Sequence, residues 1–543
     1  MIPQALRRIP PLRTLALCAS LLAGCGGGGG GAPATPAPPD AAAAGTLSAG
    51  PGCALRYALT DSPLLAGADP LLARQWHLQN TGQSGGTPGE DARAVAAWAV
   101  TRGEGARVAV IDDSIEVLHP ALRPNVVEGA SYSYREGNRG TPWPLPCVED
   151  EGHGTAVAGI VAARDGDAEG GAGVAPRASL VAFDALASGT DADIADALTR
   201  GFDATQVFHN SWGSPDDGAL HPTGAAFAAA IESGIATGRG GRGAVYVFSA
   251  GNGGCYGRRP TPGNPCLTDD SNYDGYVNRR GIVAVCAVDD TGRQPGYGET
   301  GANLTVCAPS SNTSAARPVG VTSPALRAAW RDDFTGTSAS APMVSGVVAL
   351  MLSVRPELTW RDVRLLLAQT ARRNDPTDPG WEPAADGLAF NHKYGFGVVD
   401  AQAAVAAARA WTPVGGTAAL RTCRFDRSPN RAIPDAPGAA VTDAIDAGGC
   451  PITKIEWVEV RVTAPHQYSG DLRIRLTSPA SRVSRLAEGR ICASGCGDYA
   501  DWPFGSMRHL GESAAGTWTL SIADTDATAT GTLQTWSLVI HGR

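Results

Sequence analysis

Four polar residues stand in settings that suit nucleophilic catalysis. They are an aspartate after an apolar run, a glycine-flanked histidine, a glycine-flanked asparagine and a serine among small residues, in the order Asp112, His153, Asn252 and Ser338. A serine hydroxyl becomes a good nucleophile when a neighbouring base takes its proton, and a histidine oriented by a carboxylate can be that base. A side-chain amide in a tight turn can donate to a developing oxyanion. Each residue alone would be read as a cap or a turn residue, so the hypothesis depends on the set.

The sequence around each residue predicts the element that positions it. Residues 106–111 form a short apolar run, which is typical of a buried parallel strand with the aspartate at its carboxyl end. Residues 244–248 form a similar run ahead of the asparagine. A small-residue helix (156–163) follows the histidine, and an apolar helix (338–352) begins at the serine. We therefore predict an α/β fold in which these residues meet at the carboxyl edge of a parallel sheet.

The order of these residues and the motifs around them resemble the subtilase superfamily of serine peptidases over residues 69–407. The matching motifs are Val-Ile-Asp-Asp (110–113), Gly-His-Gly-Thr (152–155), Ala-Gly-Asn-Gly (250–253) and Gly-Thr-Ser-Ala-Ser-Ala-Pro (336–342). The resemblance implies a subtilisin-like parallel-sheet domain with Ser338 as nucleophile, His153 as general base and Asp112 as the acid that orients the imidazole. Asn252 and the Ser338 N–H would hold the oxyanion.

Further acidic residues resemble the kexin-like proprotein convertase branch of that superfamily. The doubled aspartate, the segment Ser-Trp-Gly-Ser-Pro-Asp-Asp-Gly (211–218) and residues 392–401 carry this resemblance. It implies that Asp216 and Asp274 line a pocket for the basic residue before the scissile bond, and that Asp113 and Asp150 face the next residue out. The substrate backbone would add as a strand along 211–213. The implied substrate-binding residues are Asp113, Asp150, Ser211, Trp212, Gly213, Asp216 and Asp274.

Several carboxylates in one cleft require positive partners, which a basic substrate side chain and Ca²⁺ supply. The metal ligands that the resemblance implies are Asp216, Asp269 and Glu299 beneath the first pocket, and Asp69 in a second calcium site. The second site departs from the family pattern, because Ala121 stands where an aspartate is usual. Asp165 or Asp167, in the acidic loop 164–170, is the expected substitute.

After an alanine-rich helix (401–411), the hydrophobic pattern changes to a period of two. Apolar and polar residues alternate over 458–462, 472–476, 518–522 and 536–540, between turns rich in Gly, Pro and Asp. This pattern predicts an antiparallel sandwich or barrel. Residues 412–543 resemble the P domain that follows convertase catalytic domains, through Leu-Thr-Ser-Pro (476–479) and Gly-Thr-Trp-Thr-Leu (516–520) among others. The resemblance implies a jelly-roll-like all-β sandwich that stabilises the peptidase, and a carbohydrate-binding sandwich is the alternative.

The first 60 residues indicate export and a tether. Three arginines precede an apolar run (15–23) that is too short for a permanent membrane span and is typical of a cleaved signal. Leu-Ala-Gly-Cys (22–25) resembles a bacterial lipoprotein box, which predicts lipidation of Cys25 and attachment to the outer membrane or cell surface. The Gly- and Pro-rich residues that follow predict a flexible spacer and leave little room for an inhibitory propeptide. A separate chaperone or inhibitor protein is therefore one hypothesis for latency.

The composition is that of a secreted protein. A formal charge of −9 over 543 residues argues against nucleic-acid binding. Of twelve cysteines, two lie in the leader and ten beyond it, without the paired spacing of a zinc site, so we interpret the ten as disulfides. The local pairs expected are Cys255–Cys266, Cys286–Cys307 and Cys423–Cys450, although spacing does not decide connectivity.

These observations predict a signal peptide with a lipobox (1–25), a tether (26–60), a subtilisin-like peptidase domain (61–411) and a P domain (412–543). The leading hypothesis is a lipid-anchored, calcium-supported serine endopeptidase that cleaves proteins or peptides after Arg or Lys, including paired basic residues. A broad-specificity subtilase and a non-catalytic surface-binding lipoprotein are the alternatives. The second alternative is weakened because all four catalytic positions are filled.

Overall fold

The computed structural model describes residues 46–58, 66–254, 269–314, 316–492 and 495–543. The signal peptide, Cys25, most of the tether and the Cys255–Cys266 pair lie outside these residues. A short hairpin opens the described chain with β1 (Thr46–Leu47) and β2 (Tyr57–Ala58). The helices of the described part are α1 (Ala94–Ala97), α2 (His153–Ala162), α3 (Asp191–Thr199), α4 (Ala225–Gly241), α5 (Thr337–Val354), α6 (Trp360–Thr370) and α7 (Ala401–Ala410).

A six-stranded parallel sheet organises the first part of the fold. Its strands are β3 (Arg107–Ile111), β4 (Ser179–Phe183), β5 (Val207–Asn210), β6 (Val245–Ser249), β7 (Ile282–Val288) and β8 (Leu304–Pro309). They lie in the order β4-β3-β5-β6-β7-β8, and every residue of β5, β6, β7 and β8 is buried. Continuous apolar strands of this kind are stable when both faces of the sheet are covered. The predicted α/β class is confirmed.

Helix α5 covers much of that sheet, and the serine of interest lies in its first turn. Of its 18 residues, 15 are buried, and Pro342 is the sixth, so the Ser338 carbonyl lacks its N–H partner within the helix and instead accepts from the Ser211 hydroxyl. Among the described residues it is the one helix long and apolar enough to cross a membrane, but 83% of that stretch is buried within the protein. Its apolar character is therefore that of a core helix. The hairpin β9 (Val321–Ala325) and β10 (Ala329–Phe334) leads into it.

The last part of the chain is antiparallel β-structure. A small hairpin, β11 (Glu382–Pro383) and β12 (Ala389–Phe390), precedes it, and its strands are β13 (Arg421–Arg427), β14 (Arg431–Ile433), β15 (Val441–Asp446), β16 (Ile455–Ala464), β17 (Leu472–Thr477), β18 (Val483–Ala487), β19 (Tyr499–Ser506), β20 (Thr517–Asp524), β21 (Gly531–Leu533) and β22 (Thr535–Gly542). Two four-stranded sheets, β13-β22-β16-β19 and β15-β20-β17-β18, share one apolar core. The inward residues are those of the predicted alternation, such as Val460, Leu476 and Trp518. The predicted all-β part is confirmed.

A buried ion pair joins the two parts. Arg361 of α6 and Glu456 of β16 are 0% and 1% exposed, and their side chains make two hydrogen bonds of 2.8 and 2.6 Å. Arg361 also donates to the carbonyls of Gly415 and Gly416, in the connection that follows α7. A buried charge needs this degree of pairing. The pair therefore holds the antiparallel sheets against the α/β layer.

Four disulfides lie within the described residues. Two are predicted pairs, Cys286–Cys307 across neighbouring strands β7 and β8, and Cys423–Cys450. Cys53–Cys147 joins the opening hairpin to the loop before α2, and Cys492–Cys496 closes a small loop in the antiparallel part. The last two pairings were not among those expected from spacing.

Candidate active site

Asp112 and His153 form the centre of the site. Asp112 follows β3 and is 1% exposed, and its Oδ1 lies 2.8 Å from Nδ1 of His153, the first residue of α2. The approach of α2 to β3 depends on Gly154, because a Cβ there would lie 2.3 Å from the Ser114 carbonyl oxygen and 2.7 Å from the Asp112 Cβ. The hydrogen bond fixes the imidazole so that its Nε2 faces away from the carboxylate.

The two aspartates control the protonation of this histidine. Burial by itself would lower the pKa of His153, but the negative charges of Asp112 and Asp113 raise that pKa to about 9. Asp113 is half-buried beside Asp112, and burial together with that neighbouring charge raises the pKa of Asp113 to about 7. The Asp113 carboxylate accepts a hydrogen bond from the Gly154 N–H at 3.0 Å. A cationic neighbour for Asp113 would therefore make His153 less basic.

Ser338 is the second residue of α5 and is half-buried beside the same edge of the sheet. Its hydroxyl donates to the Ser211 carbonyl at 3.2 Å, and no hydrogen bond joins it to His153 among the described residues. Catalytic hydrogen bonds are often long or misaligned without substrate, and one rotation about the Cα–Cβ bond redirects this hydroxyl. Because Ser338 lies in the first turn of the helix, its N–H has no partner within the helix.

Asn252 follows β6 and contacts the residue before the serine. Its Oδ1 accepts from the Thr337 N–H at 2.8 Å and from the Thr337 hydroxyl at 3.1 Å. These two donors require the amide oxygen on the Thr337 side, so the Nδ2 group of the same amide points away from Thr337 and remains near the start of α5. The structure thus brings an amide donor and the free N–H of Ser338 to the start of α5. Two donors in that position can stabilise an oxyanion.

The predicted first pocket lies beyond β5. Asp274 accepts hydrogen bonds from the Ser214 N–H (2.9 Å), the Ser214 hydroxyl (3.0 Å) and the Tyr276 N–H (2.7 Å). Burial nevertheless raises the pKa of its carboxyl above the usual value. A Cβ at Gly213 would lie 2.4 Å from the Asp274 Oδ2, so only glycine lets the chain pass over this carboxylate. Because Gly213 has no side chain, a substrate backbone can come close to the chain at this position.

Three carboxylates gather next to that pocket. One oxygen each of Asp216, Asp269 and Glu299 lies within 4.8 Å of the others. Burial, followed by repulsion from the other two acids, raises the pKa of Glu299 well above its usual value. A cavity of about 10 Å³ lies among these three residues and Asp274, which is room for one water-sized sphere. Oxygen ligands around a single small space fit a hard divalent cation such as Ca²⁺.

The other predicted residues are distributed as follows. Ser211 and Trp212 lie directly under the site, where the Ser211 hydroxyl donates to the Ser338 carbonyl and the Trp212 indole donates to the Ile111 carbonyl. Asp150 is exposed in the loop three residues before His153. Asp69 is separate from the three-acid group, and its carboxylate accepts from the N–H groups of Gly166 and Asp167 at 2.7 and 3.3 Å.

Near Asp69, one predicted substitute ligand already has cationic partners. Asp165 forms ion pairs with Arg102 and with Arg177, the second at 2.5 Å. Backbone N–H groups around Asp69 and arginines around Asp165 offer donors where a cation needs oxygen ligands. Both N–H groups bind Oδ1 of Asp69, and Asp167, the other predicted substitute, has no ion-pair partner among the described residues, so the second calcium site stays a prediction.

Sequence reasoning missed His209, a buried residue of β5. Its ring contacts the hydroxyls of Ser211 and Ser345 at 2.8 and 2.9 Å, and Ser211 in turn contacts Ser338. The available signal was a histidine inside a run expected to be a buried strand, because a buried polar side chain requires partners.

The Subtilase family profile matches residues 103–397, which is more than half of the chain. The chain belongs to the subtilase family. The profile described as Proprotein convertase P-domain matches residues 455–540. This subtilase therefore combines a subtilisin-like domain and a P domain.

Proprotein convertases are among the relatives of this subtilase. It is 32% identical over 490 residues to human Proprotein convertase subtilisin/kexin type 7, covering 87% of this chain and 60% of the relative. It is 32% identical over 498 residues to rat Neuroendocrine convertase 2, covering 87% and 74%. It is also 32% identical over 491 residues to the Dibasic-processing endoprotease of Schizosaccharomyces pombe, covering 88% and 65%. The chain thus spans less than two thirds of the human and fission-yeast proteins.

The crystal structure of the serine protease of Aeromonas sobria is similar over almost its whole length. The TM-score is 0.76 at 26% identity, and the match covers 89% of this chain and 97% of that one. A second structure shows the Aeromonas sobria protease in complex with the chaperone, with a TM-score of 0.76, 25% identity and the same coverage. The similarity includes both the parallel-sheet and the antiparallel parts.

Proposed function

We propose that this subtilase is a serine endopeptidase that hydrolyses peptide bonds in proteins or peptides after Arg or Lys, including paired basic residues. The observation that carries the proposal is the 2.8 Å hydrogen bond between His153 and Asp112, at the same sheet edge as the half-buried Ser338. A buried carboxylate that orients an imidazole beside a serine is the arrangement that activates a hydroxyl.

The proposed chemistry uses four residues. Ser338 Oγ attacks the carbonyl carbon, and its proton moves to Nε2 of His153 while Asp112 holds the N–H at Nδ1. The carbonyl oxygen becomes an oxyanion that accepts hydrogen bonds from Asn252 Nδ2 and the Ser338 N–H. The C–N bond then breaks and the amine leaves with the proton from His153. Water repeats the sequence on the acyl-serine, with the same proton acceptor, to release the acid.

The proposed preference for basic residues comes from the charge of the cleft. Asp216 and Asp274 line one small cavity, and Asp113 lies beside the catalytic pair. Carboxylates whose pKa values are raised by burial gain from a substrate guanidinium or ammonium, and an arginine gains more through two parallel hydrogen bonds. The name of the fission-yeast relative, Dibasic-processing endoprotease, supports the extension to paired residues.

We also propose that Asp216, Asp269 and Glu299 hold a calcium ion. Such an ion would neutralise the three carboxylates and keep the loop that contains Asp216 in place. The support is the spacing of the oxygens within 4.8 Å and the single-atom space between them. Asp69 does not belong to this group, and a second calcium site there stays a prediction.

Export, anchoring and a protein partner belong to the same proposal. Lipidation of Cys25 would attach the protease to the outer membrane or cell surface, and incorporation of a labelled fatty acid by the wild type but not by Cys25→Ser would test it. A separate chaperone is supported by the complex of the Aeromonas sobria protease. Full yields of active enzyme from the chain expressed alone would contradict that partner.

The proposed activity can be tested on purified protein. A fluorescent phosphonate ester with an arginine side chain should label the wild type and leave Ser338→Ala unlabelled. Peptides that differ only in the residue before the scissile bond (Arg, Lys or Leu) then measure the preference through kcat/KM. Equal values for the three peptides would favour a broad-specificity subtilase. Absence of both labelling and hydrolysis would favour a non-catalytic protein.

A further inference from the structure

His209 is a buried residue of β5, the strand that leads into the predicted substrate-binding segment 211–213. It is 0% exposed, and its two ring nitrogens contact hydroxyls on opposite sides. Nδ1 lies 2.9 Å from Ser345 Oγ, and Nε2 lies 2.8 Å from Ser211 Oγ. The Ser211 hydroxyl also lies 3.0 Å from the carbonyl oxygen of Ser338. A continuous series of hydrogen bonds therefore runs from the interior to the proposed nucleophile.

The direction of each hydrogen bond follows from what each atom can do. A carbonyl oxygen only accepts, so the single proton of the Ser211 hydroxyl points to Ser338. Ser211 Oγ must then accept from His209, which places the imidazole proton on Nε2. Nδ1 is left as an acceptor, and Ser345 donates to it. Burial lowers the pKa of His209 to about 3, so near neutral pH the ring is uncharged and keeps one donor and one acceptor.

Both ends of this series lie on one helix. Ser345 and Ser338 are seven residues apart in α5, which is about two turns, so they lie on the same face. Ser211 contacts Ser338 twice, because its carbonyl also accepts from the Ser338 hydroxyl at 3.2 Å. When that hydroxyl turns toward His153, the bond from the Ser211 hydroxyl to the Ser338 carbonyl remains and still joins the serine backbone to the residue after β5.

We propose that His209 is a positioning residue for the nucleophile, acting through Ser211 to hold the Ser338 backbone while the hydroxyl rotates to meet His153. This inference rests on the proposed peptidase function. A histidine suits the position because one rigid ring donates on one side and accepts on the other. Misplacement of a reacting group by about 1 Å can cost about 100-fold in rate, so loss of the series should appear in the chemical step.

The test compares the same substitution at two buried histidines. His209→Phe keeps a ring but removes both hydrogen bonds, whereas His77→Phe replaces a 0% exposed histidine whose ring nitrogens have no hydrogen-bond partner among the described residues. His209→Gln is the rescue variant, because its amide can donate to Ser211. The measurements are the melting temperature, the rate of phosphonate labelling of Ser338, and kcat and KM on one arginine peptide.

We expect His209→Phe to lower kcat and the labelling rate about 10- to 100-fold with KM within about 2-fold, since the series acts on Ser338 through the Ser211 hydroxyl, whereas a substrate would pair with the backbone of 211–213. His209→Gln should recover to within about 5-fold of the wild type. His77→Phe should keep wild-type kcat even if its melting temperature falls. If His209→Phe does not fold, Ser345→Ala decides, and the labelling rate should then fall at least about 3-fold.

Several results would overturn the inference. One is a wild-type labelling rate in a folded His209→Phe protein, or in Ser345→Ala when that variant decides. Another is a labelling rate for His209→Gln as low as that for His209→Phe. A third is an equal loss of kcat in His77→Phe and His209→Phe, which would mean that the loss comes from a less stable fold and not from the position of Ser338. Failure of the proposed function is distinguishable, because then the wild type itself would be neither labelled nor active.

Discussion

Neutralising Asp274 should separate recognition of a basic residue from the catalytic chemistry. This aspartate lines the cavity beside Asp216 but is not one of the three clustered acids, so Asp274→Asn changes the pocket without removing a proposed calcium ligand. An amide oxygen can still accept from the Tyr276 N–H and the Ser214 hydroxyl. The amide nitrogen would face the Ser214 N–H, so a modest loss of stability is expected alongside the loss of charge.

The size of the effect follows from the charge environment. Two unit charges about 4 Å apart attract by about 4 kcal/mol at an effective dielectric constant of about 20. Desolvation of the substrate side chain offsets part of this, and removal of one partner of a buried charge pair costs about 2–5 kcal/mol. At about 1.4 kcal/mol for each factor of ten, we expect kcat/KM for an arginine peptide to fall at least about 30-fold. The matched leucine peptide should change by less than about 3-fold.

The assay is the ratio of kcat/KM for the two peptides in the wild type, in Asp274→Asn and in the control Asp217→Asn. Asp217 lies in the same loop as Asp216, but the Asp217 carboxylate is already hydrogen-bonded to His221 Nε2 at 2.8 Å and to the Ala219 N–H at 2.9 Å. The control carries the same charge change and should keep the wild-type ratio. Equal losses on both peptides, or an equal drop in the ratio with Asp217→Asn, would refute the assignment of Asp274 to the pocket.

Three further predictions concern the protonation of His153, the proposed calcium ion and the buried ion pair between Arg361 and Glu456. Asp113→Asn should shift the acid limb of the pH profile of kcat/KM to lower pH, because only neutral His153 accepts a proton and loss of a nearby negative charge lowers the pKa of His153 from about 9. The substrate should carry alanine two residues before the cleaved bond, and an unmoved limb would contradict the prediction. Removing calcium from enzyme held at about 100 times its Kd should cost about 2.7 kcal/mol and lower the melting temperature by several degrees, whereas Glu299→Gln should already melt low and no longer respond to chelator. Glu456→Gln should lower the free energy of unfolding in urea by about 3–5 kcal/mol, because it leaves the buried Arg361 charge unpaired. The control Glu459→Gln, at a partly exposed ion pair, should cost at most about 1 kcal/mol, and similar losses in the two variants would contradict the role of the buried pair.

The site residues that sequence could predict are those marked by local pattern. Asp112, His153, Asn252 and Ser338 each sit next to a short apolar run or a glycine, and such runs form strands and helices wherever they can be buried. Parallel strands share one carboxyl edge, so residues that follow them meet there without further information. The same holds for Cys286 and Cys307, which are separated by only 21 residues on consecutive strands.

Only the tertiary structure decided which distant residues touch. The pairings of His209 with Ser345 and of Cys53 with Cys147 span 136 and 94 residues. Likewise, the sequence around Asp69 does not show that one of its carboxylate oxygens accepts from the N–H groups of Gly166 and Asp167, which are 97 and 98 residues away. Local propensity determines where strands and helices form, because it depends on near neighbours. Partnership depends on how whole layers pack, and packing brings together side chains between which the sequence shows no relation.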